Sequence, residues 1–91
     1  MAFNPKHQTK IQYLRRLRER YKAAVKMEAC RLANRILRHL ADGDVTQTQM
    51  LAAWNLTASE WTTKAAALQI RANKWIAFKS ANNAAENEVG D

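Results

Sequence analysis

Proline and glycine are nearly absent: the chain has one Pro and two Gly in 91 residues. Helix is therefore the expected state throughout, and no run of β-branched residues argues for strands. A single cysteine, Cys30, excludes an internal disulfide and fits a reducing compartment. No stretch is apolar enough to span a membrane, and the first residues lack the charged-then-apolar pattern of a secretion signal. A soluble cytoplasmic chain is expected. Chemistry is missing as well. His7 and His39 have no partners at metal-ligand spacing, and no Gly-rich phosphate loop, carboxylate dyad or nucleophile–base pair is present. No catalytic residue, metal or cofactor is assigned, and an enzyme is not expected.

What is present is charge of one sign, unevenly placed. Residues 1–41 hold eleven of the fifteen Lys and Arg against Glu19 and Glu28, whereas residues 42–91 carry four basic and six acidic groups. Such asymmetry points to a polyanion, most simply nucleic acid.

Residues 1–9 read as a flexible start, with Asn4-Pro5 a turn signal. From Lys10, apolar positions recur at helical spacing: Ile11, Leu14, Leu17, Tyr21, Val25, Ala29, Leu32, Ile36 and Leu40. Nothing between 10 and 40 compels a break, so one long helix or two collinear pieces both fit. Gly43, in Asp42-Gly43-Asp44, supplies the stop. Two capping boxes follow, Thr46-x-x-Gln49 and Thr57-x-x-Glu60. They predict a short helix over about 47–53, a turn at Trp54-Asn55-Leu56, and a long helix from Ala58. Asn tolerates the positive φ such a turn needs.

Short helix, tight turn and second capped helix form the layout of a DNA-binding helix-turn-helix, placed at about residues 46–64. The first turns of the later helix would enter the major groove. Thr57, Ala58, Ser59, Glu60, Thr62, Thr63 and Lys64 are then the base-reading candidates, with Glu60 favoured as cap partner. Arg15, Arg16, Arg18, Arg31, Arg35 and Arg38, with Thr46, Gln47 and Thr48, would meet phosphates. Trp54 and Trp61 bracket the turn and would lock the two helices together. Farther along, Trp61, Ala65, Leu68, Ala72, Trp75 and Ile76 share a face. A small monomer has little core to hide it, so Leu68, Ala72, Trp75 and Ile76 are assigned to a subunit interface. Residues 81–91 are polar and acidic, and read as a disordered tail after a helical domain over 10–80.

Ala24-Val25-Lys26-Met27-Glu28, Leu32-Ala33-Asn34-Arg35-Ile36 and Ala53-Trp54-Asn55-Leu56-Thr57-Ala58-Ser59-Glu60-Trp61 resemble the CII transcriptional activators of lambda-type phages over about residues 23–64. That resemblance implies a homotetrameric activator that binds direct repeats near a promoter and cooperates with RNA polymerase, with Thr57 to Lys64 at the bases. Leu51 stands where helix-turn-helix proteins commonly carry Ala for close helix packing, and Trp61 replaces a smaller aliphatic. A second set, Trp61, Asn73, Trp75 and Lys79, is similar to the small AraC-negative-regulator proteins of enteric bacteria. It implies the alternative of a helical module that binds another regulator and has no DNA target. The expectation is an all-α oligomeric regulator, a dimer or tetramer, that binds double-stranded DNA.

Overall fold

The computed structural model describes the backbone over residues 5–90 and side chains over 9–83. Four helices follow one another: α1 (Pro5–Ala23), α2 (Lys26–Ala41), α3 (Gln47–Trp54) and α4 (Ala58–Gly90). No strand occurs among the described residues, and the all-α expectation holds. No described helix is long and apolar enough to cross a membrane.

Residues 10–40 form neither one helix nor two collinear pieces. α1 and α2 fold back on each other: Tyr13 meets His39 at 3.0 Å, and Arg20 approaches Glu28 at 3.9 Å. The hinge has no Gly or Pro. Val25 is extended at φ −122° and Lys26 takes a positive φ of 51°. A left-handed Lys costs about 1–2 kcal/mol. The reversal in return buries Leu14, Leu17, Leu32 and Ile36, each at 1% exposure or less. Burial at roughly 1.5–3 kcal/mol per side chain outweighs the strain several-fold.

The predicted boundary signals inside the chain are realised. α2 stops where Gly43 takes φ 80°, with the Gly43 N–H donating to the Leu40 carbonyl at 3.2 Å. Thr46 and Gln49 close their capping box, and Asn55 ends α3 in the left-handed region at φ 55°, ψ 51°.

The ends of the chain differ from expectation. α1 begins at Pro5, so residues 5–9 are helical and not a loose start; the expectation for residues 1–4 lies outside the described residues. Proline is well suited to a first helical position because the N–H it lacks would have had no partner there. α4 continues to Gly90 instead of dissolving after Ser80, since no Pro or Gly interrupts the stretch from Ala81 to Val89. Asp91 lies outside the described residues.

Packing runs in two pairs. α3 sits on α1, where the Trp54 indole Nε1–H donates to the Leu14 carbonyl at 3.0 Å and the Trp54 ring stacks on Tyr21 at 6.3 Å. α4 sits on α2 through Leu68 and Ala72. Trp54 and Trp61 join the two pairs edge to face, with centroids 6.2 Å apart and planes at 88°. Tyr21 adds a further tie. Its hydroxyl accepts from Arg71 at 2.7 Å, and the guanidinium lies 5.3 Å from the ring centroid. Leu51 and Trp61, the two bulky departures from the resembled pattern, both fit: Leu51 packs half-buried against the core and Trp61 is inside it.

Candidate nucleic-acid interface

The second capping box organises the start of α4. The Glu60 backbone N–H donates to the Thr57 hydroxyl at 3.1 Å, and the Thr57 N–H donates to the Glu60 carboxylate at 2.9 Å. The Thr57 backbone N–H, and after it the Thr57 side chain, hold the Glu60 carboxyl below the usual carboxylate range. Glu60 is thus engaged as a cap partner. The Thr62 hydroxyl also turns inward along its own helix, donating to the Ala58 carbonyl at 3.1 Å. Its oxygen keeps acceptor capacity only.

Geometry separates readers from core. With 3.6 residues per turn, Ser59 and Thr63 lie about 160° around the helix from Trp61, which is buried. Thr57, Ala58, Ser59, Glu60, Thr62 and Thr63 are all exposed, and Lys64 is half-buried. The base-reading assignment therefore falls on an open helix start whose inner side is pinned by two tryptophans. Ser59 and Thr63 are the best placed of the set, facing directly away from the core with short polar side chains.

The assigned phosphate contacts come from three helices. Arg15 and Arg16 are exposed and Arg18 half-buried on α1. Thr46, Gln47 and Thr48 are exposed at the start of α3. Arg31, Arg35 and Arg38 instead line a cleft of about 350 Å³ between α2 and the later part of α4, opposite Trp75 and Lys79. At 1.5 Å per residue, Thr63 to Trp75 spans about 18 Å and Ser59 to Lys79 about 30 Å along α4. Two of these arginines have protein partners. Arg31 holds Glu28 through both carboxylate oxygens, at 3.0 and 2.6 Å, which lowers the Glu28 pKa and raises that of Arg31. Arg38 lies 3.9 Å from Asp42. Exposed pairs of this kind are screened by solvent and contribute little, so a phosphate could displace either carboxylate.

Two members of the assigned subunit interface are corrected. Leu68 and Ala72 are 0% and 1% exposed within the single chain. They are used up in the core with α2, which the α1–α2 reversal makes deep enough to hold them. Trp75 is half-buried and stacks on Phe78 at 5.6 Å. Ile76, expected on the same face as Trp61, is 53% exposed.

Several contacts were invisible in sequence. His39 stands between the Tyr13 hydroxyl at 3.0 Å and the Asp44 carboxylate at 3.4 Å, tying α1 to the loop before α3. The Tyr13–His39 pair is separated by 26 positions, so no local pattern could reveal it. Lys79 in the cleft had a weak signal, its i+4 spacing from Trp75. Among the described residues no His, Cys, Asp and Glu cluster could hold a metal ion.

Comparison with family models, curated proteins and solved structures finds no match to this chain.

Proposed function

We propose that this chain is a DNA-binding transcription regulator that reads duplex DNA with the first turns of α4, using α3 as the positioning helix. The observation that carries the reading is the geometry around Asn55: two closed capping boxes, a left-handed Asn between them, and Ser59 and Thr63 aimed away from the Trp54–Trp61 lock. The excess of positive charge in residues 1–41 supports it by supplying sequence-independent attraction to phosphates. In this reading Ser59 and Thr63 contact base edges, Arg15, Arg16 and Arg18 hold the backbone, and the exposed N–H groups at the start of α3 face a phosphate. The resemblance to CII activators adds RNA polymerase as a partner and direct repeats as the target.

Self-association belongs to the same proposal. Ile70, Ile76 and Phe78 are large, 40–61% exposed, and point to different sides of α4. Several neighbours, as in an oligomer, would cover them better than one flat contact. The same side chains favour the second reading, a module that docks on another regulator without touching DNA.

Selection of bound duplexes from a random DNA pool tests the choice. A recurring motif is expected, and Ser59→Ala with Thr63→Ala should relax it at a cost of about 1–3 kcal/mol per lost base contact. Enrichment of no sequence, with a protein partner recovered instead, would establish the second reading.

A further inference from the structure

The cleft between α2 and α4 is separate from the proposed reading face. Its α4 wall is the Trp61 side of the helix, as Lys79 lies eighteen residues on from Trp61, a whole number of turns, whereas Ser59 and Thr63 face the opposite way. A straight duplex seated on Ser59 therefore does not enter it. The cleft has its own chemistry. Arg31, Arg35, Arg38 and Lys79 bring four cations, against the carboxylates of Asp42 and Asp44. Asp42 is engaged by Arg38 and Asp44 by His39, while among the described residues Arg35 and Lys79 are in no ion pair. Counted against Asp44, whose partner is a histidine, Arg35 and Lys79 still leave the cleft with a positive balance that can attract an anion. Beside them Trp75, half-buried, lines the same space; its ring stacks on Phe78 at 5.6 Å, and Lys79 Nζ lies 5.9 Å from its centroid.

We propose that this cleft binds a nucleoside phosphate, with Arg35 and Lys79 on the phosphate and the base on the face of Trp75 that Lys79 leaves when it turns to the phosphate. Fork-shaped guanidinium and ammonium donors suit phosphate oxygens, and an indole offers a base a stacking surface whatever its identity. The size of the cleft is at the lower end of the range for small-molecule sites. Bases in a duplex have their faces covered, so the ligand is either a free nucleotide or an unpaired strand. Both present the same group.

Calorimetric titration of the full chain with ATP, a short oligothymidylate and inorganic phosphate tests this. At least one of the first two should bind more tightly than phosphate; ATP identifies a free nucleotide as the source, and binding of the oligonucleotide alone identifies a strand. Arg35→Gln and Lys79→Gln should each weaken that binding by about tenfold, as expected for loss of a charge-assisted contact. Trp75→Leu should erase the advantage over phosphate, with Trp75→Phe retaining part of it should the Leu variant not fold. Ser59→Ala and Thr63→Ala should leave binding unchanged, which keeps this site distinct from the duplex-reading face. Overturning results are binding of neither probe more tightly than phosphate, or full retention of affinity by Arg35→Gln and Lys79→Gln.

Discussion

Trp54→Phe should be among the most damaging conservative substitutions in the chain, because Trp54 does three things at once. It is 2% exposed, it donates a buried hydrogen bond to the Leu14 carbonyl, and it contacts both Tyr21 and Trp61. Phenylalanine keeps a ring but removes the N–H and part of the indole. The hydrogen bond contributes about 1 kcal/mol net, and the Leu14 oxygen still accepts within its own helix, so no buried group is orphaned. The missing ring atoms remove the equivalent of about two buried methylenes, at roughly 0.8 kcal/mol each, before any cavity cost. Weakening of the edge-to-face and stacked pairs adds about 0.5–1 kcal/mol. The sum is about 3–4 kcal/mol. A domain of this length has only about 5–14 kcal/mol to lose. Its melting midpoint should fall by about 12–30 °C, at about 4–8 °C per kcal/mol.

Urea unfolding followed by circular dichroism measures the loss, with an unchanged slope showing that only stability moved. Trp75→Phe is the control: that ring is half-buried, and among the described residues its indole nitrogen makes no hydrogen bond, so its loss should stay under about 1 kcal/mol. A double-mutant cycle with Tyr21→Leu should yield a coupling of about 0.5–1.5 kcal/mol. A Trp54→Phe cost below about 1 kcal/mol would refute the reasoning, since α3 would then not be pinned to α1 through this side chain.

Asn55→Gly should be neutral or slightly stabilising, because Gly adopts φ 55° without strain, whereas Asn55→Ala should cost about 1 kcal/mol in the same urea assay. Glu28 and Glu60 both have lowered pKa values, Glu28 chiefly through its hydrogen bonds from Arg31 and Glu60 through the Thr57 backbone N–H. Each therefore contributes stability that is complete above its unfolded pKa and is lost as pH falls through the lower folded value. Glu28→Gln and Glu60→Gln should flatten the stability profile across that acid window and leave its slope at neutral pH unchanged. Replacing Arg15, Arg16 and Arg18 by Gln should reduce the salt dependence of DNA binding by about 0.9 log units per decade for each phosphate contact removed; an unaltered slope denies them that role. Leu68→Ala should cost about 2–5 kcal/mol of folding stability, whereas Ile76→Ser should leave folding intact and shift sedimentation toward smaller species.

Local signals were legible in the sequence because they act over three or four residues. Thr46-x-x-Gln49, Thr57-x-x-Glu60, Asn55 and Gly43 each place a polar atom or a permissive backbone within reach of its own partner. No tertiary information is needed to read them. The reversal at Val25-Lys26 is different in kind. Its residues have no turn chemistry, and the bend exists because Leu14 and Leu17 gain more by meeting Leu32 and Ile36 than Lys26 loses in strain. Spacing alone reported a continuous apolar stripe and could not say that the stripe closes on itself. The error at Leu68 and Ala72 follows from that one. With α1 and α2 unfolded from each other no core was available for them, so a second copy was invoked.

The candidate sites inherit the same logic. α3 has eight residues, too few to be stable alone in water. It persists because Trp54 anchors its end to α1 while Thr46 caps its start. Its approach to α4 is then fixed by the Trp54–Trp61 contact together with the left-handed Asn55 in the turn. Ser59 and Thr63 are consequently held by a chain of packed aromatics that begins at Tyr21, whose hydroxyl also grips Arg71 of α4. Loosening Tyr21 should therefore move the start of α4 relative to α3 without touching either capping box. Tyr21→Leu is expected to blur sequence preference while the general affinity for DNA that we propose for the α1 arginines remains. An equal loss of both would mean that Tyr21 serves only stability and that the two tryptophans suffice to aim the helix.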